Sequence, residues 1–577
     1  MRSYRLENSA RLEFGVEAAH DVVVVGSGAG GGMAAYVLAN RGLKVLMLEG
    51  GRHYDPSSET PMFSENRDAP LGASSTPDRD FGGYYYSSIG GFDLPGEPYT
   101  VAEGSKFGWY RSRMLGGRTN HWGRNAFRMG PYDFKPKSRD GLGCDWPIEY
   151  ADLATYYDRV EKLIGVYGTN SGLENNPDSP DGILHEPPAA RVWELIVKAA
   201  ADDLGLPCVP ARRAVLTRKV DEREPCFYAT NCGRGCSIGA AFQSTTSLLP
   251  WALNTGNLDI VTDAMVHEVV VGRDGKATGL WYIDKKDGEH KFVKSRVIVL
   301  AASTGETARL LLNSKNSLYP NGVANHSGQV GRNLQDTVGS MMIAQVPGLE
   351  NRPRYNEDGA MGMHMYMPFG HYADLKRGKL DFPRAYHIEL VGGFIAPSAG
   401  LSGMSDLIKG YGAKFKEEVR RYYGSYVAFL LRGEKIPNEN CFMDIDPTVK
   451  DRFGIPVVRF HYEHSDYEIN QVSHFQDTVN SVADRLGASI VPFTYPASMA
   501  IDSGGHVIHE VGTCRMGHDP NSSVVNEFGQ SWDVENLFIA DGSVFSTKAH
   551  KNPTLTIMAL AWRTCDYLTQ KMKAYEL

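Results

Sequence analysis

At 577 residues the chain is too long for one hydrophobic core, and a composition of 42% hydrophobic and 22% charged residues marks an ordinary globular protein of two or more domains. A net charge of −8 leaves no basic stripe for nucleic acid or a membrane surface, and no apolar run nears the ~20 residues of a spanning helix. Eight cysteines are too few for a disulfide scaffold, and the first twenty residues lack the apolar stretch of a secretory signal, so the chain read alone is expected in the cytoplasm.

Residues 21–51, DVVVVGSGAGGGMAAYVLANRGLKVLMLEGG, carry the densest signal. Val22 to Val25 read as a buried parallel strand that breaks into Gly26-x-Gly28-x-x-Gly31. Met33, Ala34, Val37 and Leu38 then recur at helical spacing, residues 44–48 form a second strand, and Glu49 ends it. In such a unit Gly26 allows the tight turn, Gly28 lets a pyrophosphate approach bare backbone, and Gly31 lets helix and strand pack closely. The helix N-terminus offers free N–H groups to the phosphates, and Glu49 is placed to accept from an adenosine ribose. The motif predicts a dinucleotide site without choosing between NAD and FAD.

Residues 54–104 are rich in Pro, Gly, Ser and Asp and are expected as a surface excursion. Next comes MLGGRTNHWGRNAFR, in which Gly116-Gly117 permit a second close backbone approach and His121-Trp122 follow. Helical spacing predicts helices over 148–166, 242–253, 406–422, 467–486 and 555–568. Strands are predicted within 257–273 and over 280–285, 296–301, 384–392 and 455–462, the third entering a helix at Ser303. His506 and His509 precede Gly512-Thr513, Asp541-Gly542 follow a strand, and Asn552-Pro553-Thr554 open the last helix, with Pro553 suited to its first turn.

Cys226-x5-Cys232-x3-Cys236 places three thiols within eleven residues. Spacing alone leaves three readings open: a zinc site short of its fourth ligand, a disulfide with one thiol over, or a three-iron cluster on three thiolates.

These blocks, in this order, resemble the glucose–methanol–choline (GMC) oxidoreductases: the Gly26–Glu49 unit, LGGRTNHWG, RVIVLAASTGETARLLLNS, HEVGTCRMG, and NLFIADGSVFSTKAHKNPTLTIMALA. The resemblance implies FAD as cofactor. It implies an α/β fold, with a Rossmann-like FAD-binding domain assembled from 1–130, 195–335 and 496–577 and carrying the cysteine loop 226–236. A substrate domain with a mainly antiparallel sheet and helices would come from 131–194 and 336–495. Position in the family blocks implies His509 as base and Asn552 as its partner, with His506 and His550 ranked lower. It also implies Gly116, Gly117, Asn120, His121, Val266, Asp541, Gly542, Asn552 and Thr554 around the cofactor, His121 by non-covalent contact in preference to the covalent link that some family members form in this block.

The cysteine segment is similar to that of the catalytic subunits of bacterial sugar dehydrogenases of the glucoside 3-, glucose and gluconate 2-dehydrogenase kind. That likeness implies a 3Fe-4S cluster on Cys226, Cys232 and Cys236, a small subunit with a twin-arginine export signal, and a cytochrome c subunit as electron acceptor. The location would then be the periplasm. The expected reaction is oxidation of a secondary sugar alcohol, the C3 hydroxyl of a glucoside preferred. Alternatives are oxidation of glucose at C1 or gluconate at C2, an O₂-using oxidase of the same fold, or a non-catalytic electron-transfer flavoprotein.

Overall fold

The computed structural model describes residues 20–60, 90–228, 232–355, 357, 359, 363–394, 408, 410–491 and 494–577. Most of the expected excursion, and residues 406, 407 and 409 of the helix expected over 406–422, lie outside these; within that helix the described part runs Gly412–Tyr422.

Four consecutive valines that cannot face water form the Val22–Val25 strand, 0–4% exposed. β-branched side chains suit a pleated surface buried on both faces. The strand lies at the centre of a five-stranded sheet, with Val297–Leu300 and Leu537–Ile539 on one side and Val45–Leu48 and Leu258–Val261 on the other. Every pairing is parallel, and Val25 stands level with both Leu48 and Leu300. The Ala29–Asn40 helix crosses between the first two strands and packs against the Thr554–Lys573 helix. An antiparallel three-stranded sheet, Ala264–Val271, Ala277–Asp284 and His290–Lys294, follows the edge strand.

The second layer is a six-stranded antiparallel sheet in the order Ser489–Val491, Val338–Gln345, Tyr426–Gly433, Tyr386–Gly392, Met365–Met367, Val209–Pro210. The 21-residue Asp466–Leu486 helix buries Val472, Phe475, Val479 and Val482 against it. Ser465 opens that helix in a capping box with Glu468, and Gly487 in the left-handed conformation ends it.

The α/β class with a parallel and an antiparallel sheet is as expected. Two helices sit otherwise than the expected division of the chain. Tyr150–Ile164 packs Leu153, Tyr157, Val160 and Ile164 into the core of the parallel sheet, and Tyr157 Oη hydrogen-bonds Thr556 Oγ1 at 2.9 Å. Val192–Asp203 packs Trp193 and Val197 into the core of the antiparallel sheet. Each is amphipathic, and the pattern of apolar residues shows that a face is buried without showing against which layer.

Candidate active site

A cavity of about 760 Å³ runs from the glycine loop of the parallel sheet to the face of the antiparallel sheet. At the first end Gly26 has φ +95°, and a Cβ there would lie 2.4 Å from Ala301 O, so only glycine lets the strand end turn beside its neighbour. Gly28 differs: a Cβ would meet no atom within 4 Å, and the residue lines the cavity. The space above Gly28 is a cradle that a side chain would fill. A Cβ at Gly31 would lie 1.9 Å from Gly26 O, and Gly31 does not reach the cavity. Its role is the contact between helix and loop.

Glu49 closes this end. Its Oε2 accepts from Ser27 N–H at 3.0 Å and from Ser27 Oγ at 2.5 Å, and its Oε1 accepts from Gly51 N–H at 2.6 Å. Ser27 Oγ in turn accepts from Gly116 N–H at 2.8 Å, which ties the second glycine-rich block to the first. Ser27 was not singled out in the sequence, because a serine in a glycine loop has no periodic or chemical signature of its own. Val266 lines the cavity beside Glu49 from the neighbouring strand. The open cradle, the acidic strand end and the long cavity fit a dinucleotide cofactor.

The second block contributes unequally. Gly117 and His121 line the cavity, while Gly116 and Asn120 do not. The Asn120 amide turns inward, donating to Leu115 O at 2.9 Å and accepting from Gln243 Nε2 and Thr245 Oγ1. Contrary to expectation, Gly116 and Asn120 shape the loop and do not face the cofactor space. His121 Nδ1 lies 3.3 Å from Gly233 O in the cysteine loop, and burial lowers its pKa to about 4, so the ring is neutral. Asp541 and Gly542 line the cavity; the Asp541 carboxylate accepts from Ser303 N–H, Thr307 Oγ1 and Ser543, clamping two helix starts together. Asn552, Pro553 and Thr554 bring the N-terminus of the last helix to the wall, its dipole and free N–H groups directed at the cavity.

His509 and Asn552 meet at the far end. His509 Nδ1 lies 2.9 Å from Thr337 Oγ1, and His509 Nε2 lies 3.4 Å from Asn552 Nδ2. The His509 N–H donates to Asp336 Oδ1 at 2.8 Å. A neutral ring with its proton on Nδ1, shared with Thr337, leaves the Nε2 lone pair facing Asn552 and the cavity. Burial, then the Lys548 and Arg432 cations, hold His509 well below the usual imidazole range, and Glu389 opposes them. Burial together with Glu510 pushes the Asp336 carboxyl up to about 7, while burial brings Lys548 down to about 8.

Glu389 organises this corner and was not legible in the sequence. Its Oε1 accepts from Asn552 Nδ2 at 3.1 Å and from Asn125 Nδ2, and its Oε2 accepts from Arg432 Nε at 3.0 Å. Burial would raise its pKa, but Arg432 and His387 outweigh burial and keep it an anion. With Nδ2 committed to Glu389 and His509, the Asn552 Oδ1 is left buried without a partner at the cavity wall. The two lower-ranked histidines differ: His506 is an exposed residue at the cavity, and His550 is buried behind it against Tyr372 and His387.

Cys226, Cys232 and Cys236 gather in one small apolar cluster with Tyr167, Val215, Ala240 and Ala241. Arg124 Nη1 donates to Cys232 O at 2.7 Å, holding the loop against the block that carries His121. Burial raises the Cys236 thiol. Among the described residues no group of three His, Cys, Asp or Glu side chains is arranged to hold a metal ion. Residues 229–231 of the loop lie outside the described ones.

Family models described as GMC oxidoreductase match residues 107–338 and 437–561, and one described as an FAD binding domain matches residues 21–58. A 2-methyl-1,2-propanediol dehydrogenase of Mycolicibacterium austroafricanum is 30% identical over 96% of this chain and 95% of its own. The chain is a GMC oxidoreductase. The cofactor that its glycine loop and Glu49 fit is therefore FAD. A fructose dehydrogenase large subunit of Gluconobacter japonicus is 28% identical over 96% of this GMC chain and 98% of its own. A formate oxidase of Aspergillus oryzae shares the fold, with a TM-score of 0.65 at 14% identity over 97% of this chain and 100% of that one. The oxidoreductase acts on CH–OH groups of sugars or alcohols.

Proposed function

We propose that this enzyme oxidises a secondary alcohol of a sugar or glycoside to a ketone, with His509 as the base. The observation that carries the reading is the His509–Asn552–Glu389 corner, at the opposite end of one cavity from the glycine loop. FAD, held by the Gly26–Gly28 loop, Glu49 and the start of the last helix, would supply the hydride acceptor for the carbinol carbon. The hydroxyl proton passes to His509 Nε2, which is neutral because burial and two nearby cations disfavour imidazolium. Asn552, held by its Glu389 bond with Nδ2 3.4 Å from His509 Nε2, is the neighbour whose N–H edge keeps that hydroxyl's oxygen in place. As the proton arrives, the Glu389 anion stabilises the imidazolium.

The C3 hydroxyl of a glucoside is the preferred target by overall likeness; no cavity residue selects the carbon. A 3Fe-4S cluster on Cys226, Cys232 and Cys236, relaying electrons to a cytochrome c subunit, enters the proposal by likeness alone, since the three thiols share one apolar cluster but among the described residues are not arranged to hold a metal ion. The name of the fructose dehydrogenase large subunit supports a multisubunit setting for this chain; export to the periplasm alongside a small twin-arginine-bearing partner is proposed from the likeness of the cysteine segment. The experiment is anaerobic mixing of FAD-loaded protein with methyl β-D-glucoside and other sugars. Wild type bleaches the flavin and NMR identifies a keto product; His509→Ala binds FAD without bleaching. Unchanged bleaching by His509→Ala would remove the base assignment, and iron analysis decides between the cluster and an O₂-using oxidase.

A further inference from the structure

Asp502 and Arg432 line the same cavity with opposite charges, yet no ion pair forms between them. Arg432 stands on the Tyr426–Gly433 strand directly across from Gly339 on the Val338–Gln345 strand. Asp502 sits over that glycine: its N–H donates to Gly339 O at 2.8 Å, and its own O accepts from His464 Nε2 at 2.9 Å. A Cβ at Gly339 would lie 2.2 Å from Asp502 Oδ2, so the missing side chain makes the seat for the carboxylate.

The backbone of Asp502 is thus fixed on both sides, while its carboxylate accepts no hydrogen bond from any described residue. Arg432 commits Nε to Glu389 and Nη1 to Leu431 O, and its Nη2 donates to no described residue. Withdrawing a carboxylate from bulk water without a hydrogen-bond donor is unfavourable, and burial raises the Asp502 pKa accordingly. A cavity-facing acceptor and a cavity-facing donor held beside each other match one chemical group, a neutral hydroxyl, which donates to the first and accepts from the second. Contact runs without a break from His509 through Asn552 and Glu389 to Arg432, and across Gly339 to Asp502. A hydroxyl seated there would share one cavity with a reacting hydroxyl at His509.

We propose that Asp502, with the Nη2 edge of Arg432, is a specificity site that binds a second hydroxyl of the substrate and selects neutral vicinal diols, sugars included, over monohydric alcohols. This rests on the function proposed above. A sugar carboxylate placed there would meet Asp502 as a like charge, so polyols are favoured over sugar acids.

The test compares cis-1,2-cyclohexanediol with cyclohexanol in FAD-loaded wild type, Asp502→Asn and Asp502→Ala, by anaerobic flavin reduction. Flavin content and Tm verify folding. A hydrogen bond to a charged group supports a wild-type kcat/KM preference for the diol of roughly 10- to 100-fold. Both variants narrow that ratio towards unity, because only the diol loses a contact. Equal loss on both alcohols, or a wild type that does not discriminate, overturns the proposal. If wild type reduces flavin with no alcohol or sugar, the function proposed above fails, and calorimetric binding of methyl β-D-glucoside decides the site separately. Binding weakened at least 10-fold by Asp502→Asn supports it; equal affinity, or no binding to wild type, refutes it.

Discussion

Replacing Glu389 with Gln isolates what a buried anion contributes to the reacting corner. The two carboxylate oxygens serve three donors: Asn552 and Asn125 on Oε1, and Arg432 on Oε2. A glutamine has one acceptor oxygen. If its NH₂ faces the two asparagines, two bonds to a charged acceptor are lost, at about 1.5–3 kcal/mol each. Either orientation removes the counter-charge of Arg432; if the NH₂ faces Arg432, donor also meets donor, and the cation left so costs about 3–5 kcal/mol in a dry interior. The Arg432 side chain keeps 17% of its surface accessible, so water offsets part of this and the second orientation prevails at about 3 kcal/mol. Asn552 then keeps its partner, but bonded to a neutral acceptor at roughly half the strength. His509 also loses the anion that stabilises its protonated form. Together these are worth roughly 1.5–3 kcal/mol in the proton-transfer transition state, a 10- to 100-fold slower flavin reduction. The sign on pH follows: the rate needs neutral His509, and removing Glu389 lowers the His509 pKa further. The acid limb of reduction rate against pH, already well below the usual imidazole range in wild type, moves to still lower pH while the plateau falls. Anaerobic stopped-flow across pH reads both. A variant with full flavin content, a wild-type plateau and an unmoved acid limb would refute the argument.

Three further outcomes follow from geometry already described. Gly28→Val should lose FAD with little change in Tm, since φ is −68° and the new side chain enters only the cavity; Gly26→Ala, at φ +95° and 2.4 Å from Ala301 O, should lower Tm as well, and equal Tm values would contradict this. For the half-buried Glu306, burial raises the pKa but the Arg113 and Arg309 cations bring it down to about 2. Its stabilisation is therefore present above the usual 4.5 and lost as pH falls from there to 2, at most about 3 kcal/mol. Glu306→Gln should be less stable at pH 7 and lose less over that window; denaturant midpoints measured across it would show parallel curves if the reasoning fails. Cys232→Ser should abolish bound iron and its low-temperature EPR signal while retaining flavin, and wild-type protein with flavin but no iron would remove the cluster from the proposal.

How far the sequence could be read depended on how local each feature is. The glycine loop, both flanking strands and Glu49 are adjacent in the chain, so turn chemistry and strand pattern place them directly. His509 and Asn552 were located by the family blocks around them, although they lie 43 residues apart and meet only in the fold. Glu389 and Arg432 had no such help. They reach the site through strand register, Glu389 opposite Leu430 and therefore diagonal to Arg432, which no single strand encodes. Asn120 shows the opposite failure: it lies inside a cofactor block, but its amide serves Leu115, Gln243 and Thr245. Proximity in a motif does not fix the direction of a side chain.

The parallel sheet draws its strands from widely separated stretches, and Leu537–Ile539 completes one edge against Val297–Leu300. The same late stretch supplies Asp541 and the helix start at Thr554, both on the cavity wall. During synthesis the glycine loop leaves the ribosome more than 500 residues before these partners. The nascent chain must therefore hold an unpaired apolar strand edge through most of its translation. The flavin cavity is therefore complete only after the last helix has been made, and the exposed strand edge is the part of the nascent chain most open to aggregation.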